Sequence, residues 1–292
     1  MRPLRDGLKA AARNGRLLGW LLAANVVVAF AAVLPLMAPL EETLSRHPSS
    51  AELTRRFDMS WWVDLTTAHA ASFERALDLA GAAAMASVLF GCFFAGGMLQ
   101  AHHDVLGGLR MDRFFIGCRR WFVRFVWLFV LSLPLYWLAH RLVNTHLALW
   151  IGERLEWVED ERAGLAIEWG RSVLFLALFD LVTLMADYAR VHAVVAGDRS
   201  MLAALAAGMR FVLRHPWRAG SLEAAAILLQ ASALALYVPI DRILDRASWP
   251  GLAAGVLAGQ AFLLARLYLR EGARAGQVAL YRSVAVAVPP LR

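Results

Sequence analysis

Six apolar stretches dominate this sequence, running near Leu17–Leu40, Ala76–Gln100, Trp121–Leu142, Leu165–Ala189, Ser221–Ile240 and Pro250–Leu269. A helix needs about 20 mostly apolar residues to cross about 30 Å of hydrocarbon, and each stretch meets that length. Inside lipid every backbone N–H and C=O must find an internal partner, so only helices and closed barrels can span. None of the stretches alternates polar and apolar residues with period two, which rules against barrel strands. The expected fold is therefore all-α, a polytopic membrane protein with six transmembrane helices forming a single membrane domain over residues 1–292. Composition agrees: 60% of the residues are hydrophobic and 18% charged, with mean hydropathy +0.53. Soluble domains carry about 25% charged residues, so soluble, disordered and disulfide-scaffold classes are excluded. The two cysteines, Cys92 and Cys118, lie in an apolar block and a basic segment and form no secreted framework.

Orientation follows from the basic residues. The net charge is +7, and Lys9 is the one lysine among 30 basic residues. They cluster in the N-terminal tail (Arg2 to Arg16), the second loop (Arg110 to Arg124), the fourth loop (Arg190 to Arg218) and the C-terminal segment (Arg266 to Arg292). The intervening loops hold the acids, Glu41, Glu42, Glu52 and Asp58 in the first and Glu153, Glu156, Glu159, Asp160 and Glu161 in the third. The positive-inside rule then puts both termini in the cytoplasm of a bacterial inner membrane, with the arginines against anionic headgroups. Arginines at span ends need no nucleic acid to explain them. The first apolar run is long, contains Pro35 and Pro39 and lacks a small-residue cleavage site, so it reads as an uncleaved signal-anchor. Trp20, Trp121, Trp150, Trp169, Trp217 and Trp249 fall where an aromatic belt would.

A similar segment precedes each odd-numbered span: Asp6–Arg16, Asp112–Arg124 and Asp198–Arg214. Each opens on an aspartate suited to a helix start and closes on arginines suited to its end. In the third, Met201, Leu205, Gly208 and Val212 recur at helical spacing, and the expectation is an interfacial helix with this face down in the membrane. The chain then reads as three tandem units of interfacial amphipathic helix plus transmembrane hairpin, over 1–100, 104–190 and 198–270, with a cytoplasmic C-terminal segment 271–292. Basic juxtamembrane segments forced by the positive-inside rule give the same pattern without a repeat. Gly107–Gly108 reads as a bend. In the first outer loop, Glu52–Leu65 and Ala68–Leu79 look helical, with Phe57, Trp61 and Trp62 packing on the outer surface.

Small residues four apart mark close helix approach in lipid. Gly251, Gly255 and Gly259 make a doubled GxxxG, and Ala83, Ser87, Gly91 and Ala95 repeat the spacing before Gly96 and Gly97. These two helices are expected at the centre of the bundle or at a dimer seam. Polar residues at depth are costly and each asks for a role. Asp180, Thr183 and Asp187 share a face at i, i+3 and i+7, and Arg190 is placed to pair with Asp187. Glu223 and Gln230 repeat the seven-residue spacing on the next span. Meeting faces would form a polar seam, either an ion or proton relay or a set of shallow pairs at the membrane edge. His102, His103, Asp104, His192 and His215 lack metal-ligand spacing and suit phosphate headgroups better than a metal. No HExxH, P-loop or GxSxG occurs, and nothing names a cofactor.

The stretch Met185–Pro216, MADYARVHAVVAGDRSMLAALAAGMRFVLRHP, resembles poorly characterised bacterial six-span proteins, including the membrane domain of glycerophosphodiester phosphodiesterases. The shared style is an aspartate at a span end, an ARxxxV-like run and a basic helix ending in Arg-His-Pro. The resemblance implies a bacterial inner-membrane protein of hairpin architecture; it carries over no catalytic residue, because the soluble catalytic domain of those enzymes has no counterpart here. The function expected is non-enzymatic: a membrane subunit of a transport system or larger assembly, with a protein partner or a second copy docking at Arg110–Leu142 and Asp198–Trp217. The alternatives are a structural or accessory lipid-binding subunit, and an intramembrane lipid-acting enzyme using Asp180, Asp187 and the histidines.

Overall fold

The computed structural model describes residues 2–13, 15–44, 59–67, 70–103, 111–155, 161–244 and 248–285. These are helical almost throughout: α1 (Arg2–Arg13), α2 (Gly15–Leu44), α3 (Met59–Thr67), α4 (Ala70–His103), α5 (Met111–His140), a π-helical segment (Arg141–Leu147), α6 (Ala148–Leu155), α7 (Glu161–Ala196), α8 (Met201–Arg214), α9 (Pro216–Ile243) and α10 (Trp249–Ala285). Six stretches are long and apolar enough to cross a membrane: Gly15–Leu34, Phe73–His103, Met111–Arg154, Arg162–Ala196, Pro216–Ile243 and Trp249–Val284. The protein is thus an all-helical, multi-pass membrane protein. Its apolar surface fits that setting, since Val27, Phe30, Leu176, Leu228 and Leu257 are all well exposed, as lipid-facing side chains are.

Local chemistry explains the breaks between helices. Helix α7 ends at Gly197, whose φ of +71° is a left-handed value glycine adopts without a Cβ penalty. Asp198 N–H then reaches back to the Ala193 carbonyl at 3.1 Å, closing a Schellman cap. Ser200 caps the start of α8, its hydroxyl accepting from Ala203 N–H at 3.4 Å. The expected capping aspartate, Asp198, is occupied elsewhere. Helix α8 stops at His215 (φ −129°, ψ 49°), because Pro216 excludes the helical conformation from the residue before it while suiting the first turn of α9.

Contacts divide the chain into two compact units rather than three consecutive ones. One unit is Met1–Leu4, Ala95–Ala224 and Arg274–Arg292; the other is Arg5–Phe94 and Ala225–Ala273. In the first, α5 lies along α4 through glycines. A Cβ on Gly96 would meet Trp121 Cβ at 2.8 Å, and one on Gly117 would meet Gln100 Cβ at the same distance. Phe114, Cys118, Trp121, Phe125 and Leu128 fill that contact as a buried stripe. Helix α8 packs as tightly on α7: a Cβ on Gly208 would stand 2.5 Å from Ala189 N and 2.6 Å from Met185 O. In the second unit, α1 docks on α10, where Gly272 makes room for Leu8 and the Tyr268 hydroxyl donates to the Leu8 carbonyl at 3.1 Å. Tyr237 stacks on Phe262 with ring centroids 4.6 Å apart, and Trp62 meets Phe73 edge-on at 5.7 Å.

Four expectations are corrected. The face of α8 made by Met201, Leu205, Gly208 and Val212 is buried against protein and does not lie down in lipid. Asp112–Arg124 is no separate interfacial helix but part of an unbroken α5, because Gly96 and Gly97 let its early turns pack along α4. Trp121, expected in an aromatic belt, is 1% exposed, while Trp20, Trp150, Trp169, Trp217 and Trp249 are exposed. The expected cytoplasmic segment 271–292 begins as the continuation of α10, with Gln277, Val278 and Val284 buried. The outer-loop helix starting at Glu52, the bend at Gly107–Gly108 and the residues Phe57 and Asp104 lie outside the described residues.

Candidate functional site

Helix α7 is apolar enough to span yet carries Asp180, Thr183, Asp187 and Arg190 along its length. Such groups persist in a membrane helix only where neighbours satisfy them. The Thr183 hydroxyl donates to the Phe179 carbonyl at 2.9 Å and pairs with the Tyr136 hydroxyl of α5 at 3.0 Å. The Tyr136 ring packs on Phe179 with centroids 4.7 Å apart, which fixes the phenol beside the threonine. Asp180 is half-buried one turn away. A turn further, Arg190 Nη1 donates to Asp187 Oδ1 at 2.5 Å, both side chains being largely covered.

This ion pair borders a small cavity of about 10 Å³ lined by Ala95 and Leu99 of α4, Asp187 and Arg190 of α7, and Arg274 and Gln277 of α10. That is room for one water molecule. Gln277 Nε2 donates to Glu223 Oε2 of α9 at 3.2 Å, which brings a second carboxylate to the group. Two guanidiniums and two carboxylates balance in charge, so the cluster can sit at depth without a net Born penalty on the site as a whole. Two polar atoms are buried with no hydrogen-bond partner among the described residues, Arg190 Nε and the Tyr188 hydroxyl. Buried donors normally find an acceptor, and Arg190 lines a cavity of the size that one bridging water needs.

A second polar set lies at the end of α7. His192 Nδ1 is 2.6 Å from the Tyr281 hydroxyl, and its Nε2 is 3.2 Å from Asp198 Oδ2. An ionised carboxylate only accepts, so Nε2 carries the proton toward Asp198, and Nδ1 of the neutral ring accepts from the phenol. This is where the Asp198 carboxylate goes instead of capping α8. His103 is held by Arg282, whose Nη2 lies 2.6 Å from the His103 carbonyl, and the His215 ring packs against Phe211 at 5.3 Å. No group of three metal-ligating side chains occurs among the described residues.

Of the residues singled out in the sequence, Asp180, Thr183, Asp187, Arg190 and Glu223 fall in the first compact unit. Gln230 belongs to the second and turns its amide onto the Ala226 carbonyl of its own helix at 3.4 Å. The small-residue stripes make few close contacts. Nothing lies within 4 Å of a Cβ built on Gly91 or Gly255, and at Gly259 the nearest atom is the Tyr237 hydroxyl at 3.7 Å. Gly251 sits in the first turn of α10, its N–H capped by Ser248 Oγ at 3.2 Å. Ala83 is half-buried, Ser87 exposed, and Ala95 buried as part of the cavity wall. Sequence reasoning missed Arg274, Gln277 and Tyr281. Their signal was the helical recurrence of Glu271, Arg274, Gln277, Val278 and Tyr281, which extends α10 past the membrane-length stretch. No protein-family model matches the chain, and comparison with curated proteins and with solved structures gives no match.

Proposed function

We propose that this protein is a non-enzymatic membrane subunit of a transport system or larger membrane assembly, set in a bacterial inner membrane with both termini cytoplasmic. The observation that carries this reading is the charged cluster of Asp187, Arg190, Arg274, Gln277 and Glu223 around a water-sized cavity between helices of membrane-spanning length. A fold that needed only stability would hold apolar residues there, since replacing a buried ion pair by matched hydrophobes is often neutral or stabilising. Carboxylates one and two turns apart on α7, with Tyr136 and Thr183 between them, supply groups that can pass a proton or coordinate a small cation along the helix. Purification from the native membrane in mild detergent, followed by mass spectrometry, tests the role. Stoichiometric recovery of an ATPase supports a transport subunit, and recovery of the chain alone refutes any partner-dependent reading.

The second reading, a lipid-binding accessory subunit, is favoured by α1. Its Leu4 and Ala11 are buried while Arg5, Lys9 and Arg13 are exposed, a basic outer face on a docked helix.

A further inference from the structure

Helix α8 has 14 residues, about 21 Å of helix, too short to cross a membrane. It connects α7 and α9, two helices of spanning length, so it lies on the membrane side where one leaves and the other enters. Its inner face is spent on protein: Met201, Ala204, Leu205, Gly208, Phe211 and Val212 are buried. The face expected to meet lipid is therefore unavailable to it. The opposite face is a second amphipathic surface. Leu202 is 66% exposed, Leu213 65%, and Trp217 in the first turn of α9 87%. At 100° per residue Leu202, Ala206 and Leu213 fall on one flank, with Arg210 and Arg214 on the other. Arg199 and Arg218 extend the basic flank at both ends, and all four arginines are exposed. Met201–Arg214 contains no aspartate or glutamate, and the first acid of α9, Glu223, is engaged by Gln277.

We infer that this outer face of α8, continued by Trp217 and Arg218, is a docking surface for the anionic headgroup layer of the membrane. The apolar flank enters the boundary between headgroups and acyl chains, and the arginines extend outward to lipid phosphates. Charge selects the occupant: an uninterrupted cationic flank beside exposed leucine and tryptophan matches an anionic lipid surface. The inference rests on the multi-pass reading and is independent of a transport role or of which side is cytoplasmic. A nanodisc presents the same lipid on both faces, so its outcome does not depend on orientation or partners.

The test is an Ala206→Cys variant carrying a nitroxide, with the native Cys92 and Cys118 being buried. The full chain is placed in nanodiscs of phosphatidylcholine, with or without phosphatidylglycerol as about a quarter of the lipid. The expected result is a label more accessible to oxygen than to an aqueous nickel chelate, and set deeper when phosphatidylglycerol is present. Chelate access equal to that of a solvent loop in both compositions would overturn the inference, and so would shielding from both probes, which means that protein covers the face. An Arg210→Gln/Arg214→Gln/Arg218→Gln variant with unchanged thermal unfolding should retain about tenfold less phosphatidylglycerol relative to phosphatidylcholine after detergent extraction. Unchanged retention would also overturn it.

Discussion

Gly208→Ala probes the closest helix approach in the protein. The added Cβ would lie 2.5 Å from Ala189 N and 2.6 Å from Met185 O, whereas carbon atoms in good contact sit about 3.5–4.0 Å from their neighbours. Both obstacles are backbone atoms of a continuous helix, so α8 must retreat by about 1 Å, and such a gap forfeits about a quarter to a half of each contact's attraction. The loss spreads over Met201, Leu205, Phe211 and Val212, all buried on this face. Overpacking of this kind costs about 1–3 kcal/mol, and the rigid obstacles place it at about 2–3 kcal/mol. The better helix propensity of alanine returns about 0.5–1 kcal/mol, leaving a net loss of about 1–2 kcal/mol. Scanning fluorimetry in detergent should show Tm lowered by roughly 3–8 °C, using about 2–4 °C per kcal/mol for a chain of this size. The matched control is Gly255→Ala, where nothing lies within 4 Å and propensity alone acts. Its Tm should hold or rise. A Gly255→Ala loss as large as that of Gly208→Ala would refute the reasoning, because it would mean that the glycine stripe of α10 meets another helix after all.

Trp121→Phe should cost about 1 kcal/mol in the same assay, since it removes the 3.1 Å hydrogen bond from the indole to Gln100 Oε1. Asp187→Asn leaves Arg190 without its carboxylate and should destabilise by about 1–3 kcal/mol; Asp187→Asn/Arg190→Gln should recover part of this, and strict additivity of the two would show that the pair is not coupled. Tyr281→Phe frees one nitrogen of His192 and should speed amide exchange over residues 193–200 by about threefold to tenfold, matching one lost hydrogen bond. Unaltered exchange there would show that the Tyr281–His192 contact holds nothing in place. Asp180→Ala should leave Tm intact while abolishing ion or proton flux in proteoliposomes, and undiminished flux would remove the relay.

The spans were legible because about 20 apolar residues with no alternation admit one structure in lipid. The inner face of α8 was legible too: Met201, Leu205, Gly208 and Val212 do share its buried side. What that face touches was not, since leucine and valine suit lipid and protein equally well. Gly251, Gly255 and Gly259 failed for a related reason. Small residues permit close approach, but another segment must arrive, and it arrives instead at Gly96, Gly117, Gly208 and Gly272. Asp187–Arg190 could be read from an i, i+3 spacing. The partners of His192 and Glu223 lie 89 and 54 residues away, and no local rule links positions so distant.

The π-helical segment Arg141–Leu147 sits between α5 and α6 with α-helical backbone at both flanks, His140 and Ala148. Its wider turns hold surplus residues that an α-helix of the same rise would not. The rod from Met111 to Leu155 is therefore two α-helices out of phase, and no single stripe can be traced along it. Val143 is buried there, and Asn144 accepts from Arg171 Nη1 at 3.2 Å across to α7. Deleting one residue, such as the exposed Thr145, would let α-helical bonding resume and turn everything beyond it by about 100°. Trp150 and Arg154, now paired ring to guanidinium at 5.0 Å, would keep each other while swinging together to a new side of the rod. This joint is thus the place where a change in chain length is absorbed as rotation without loss of helix.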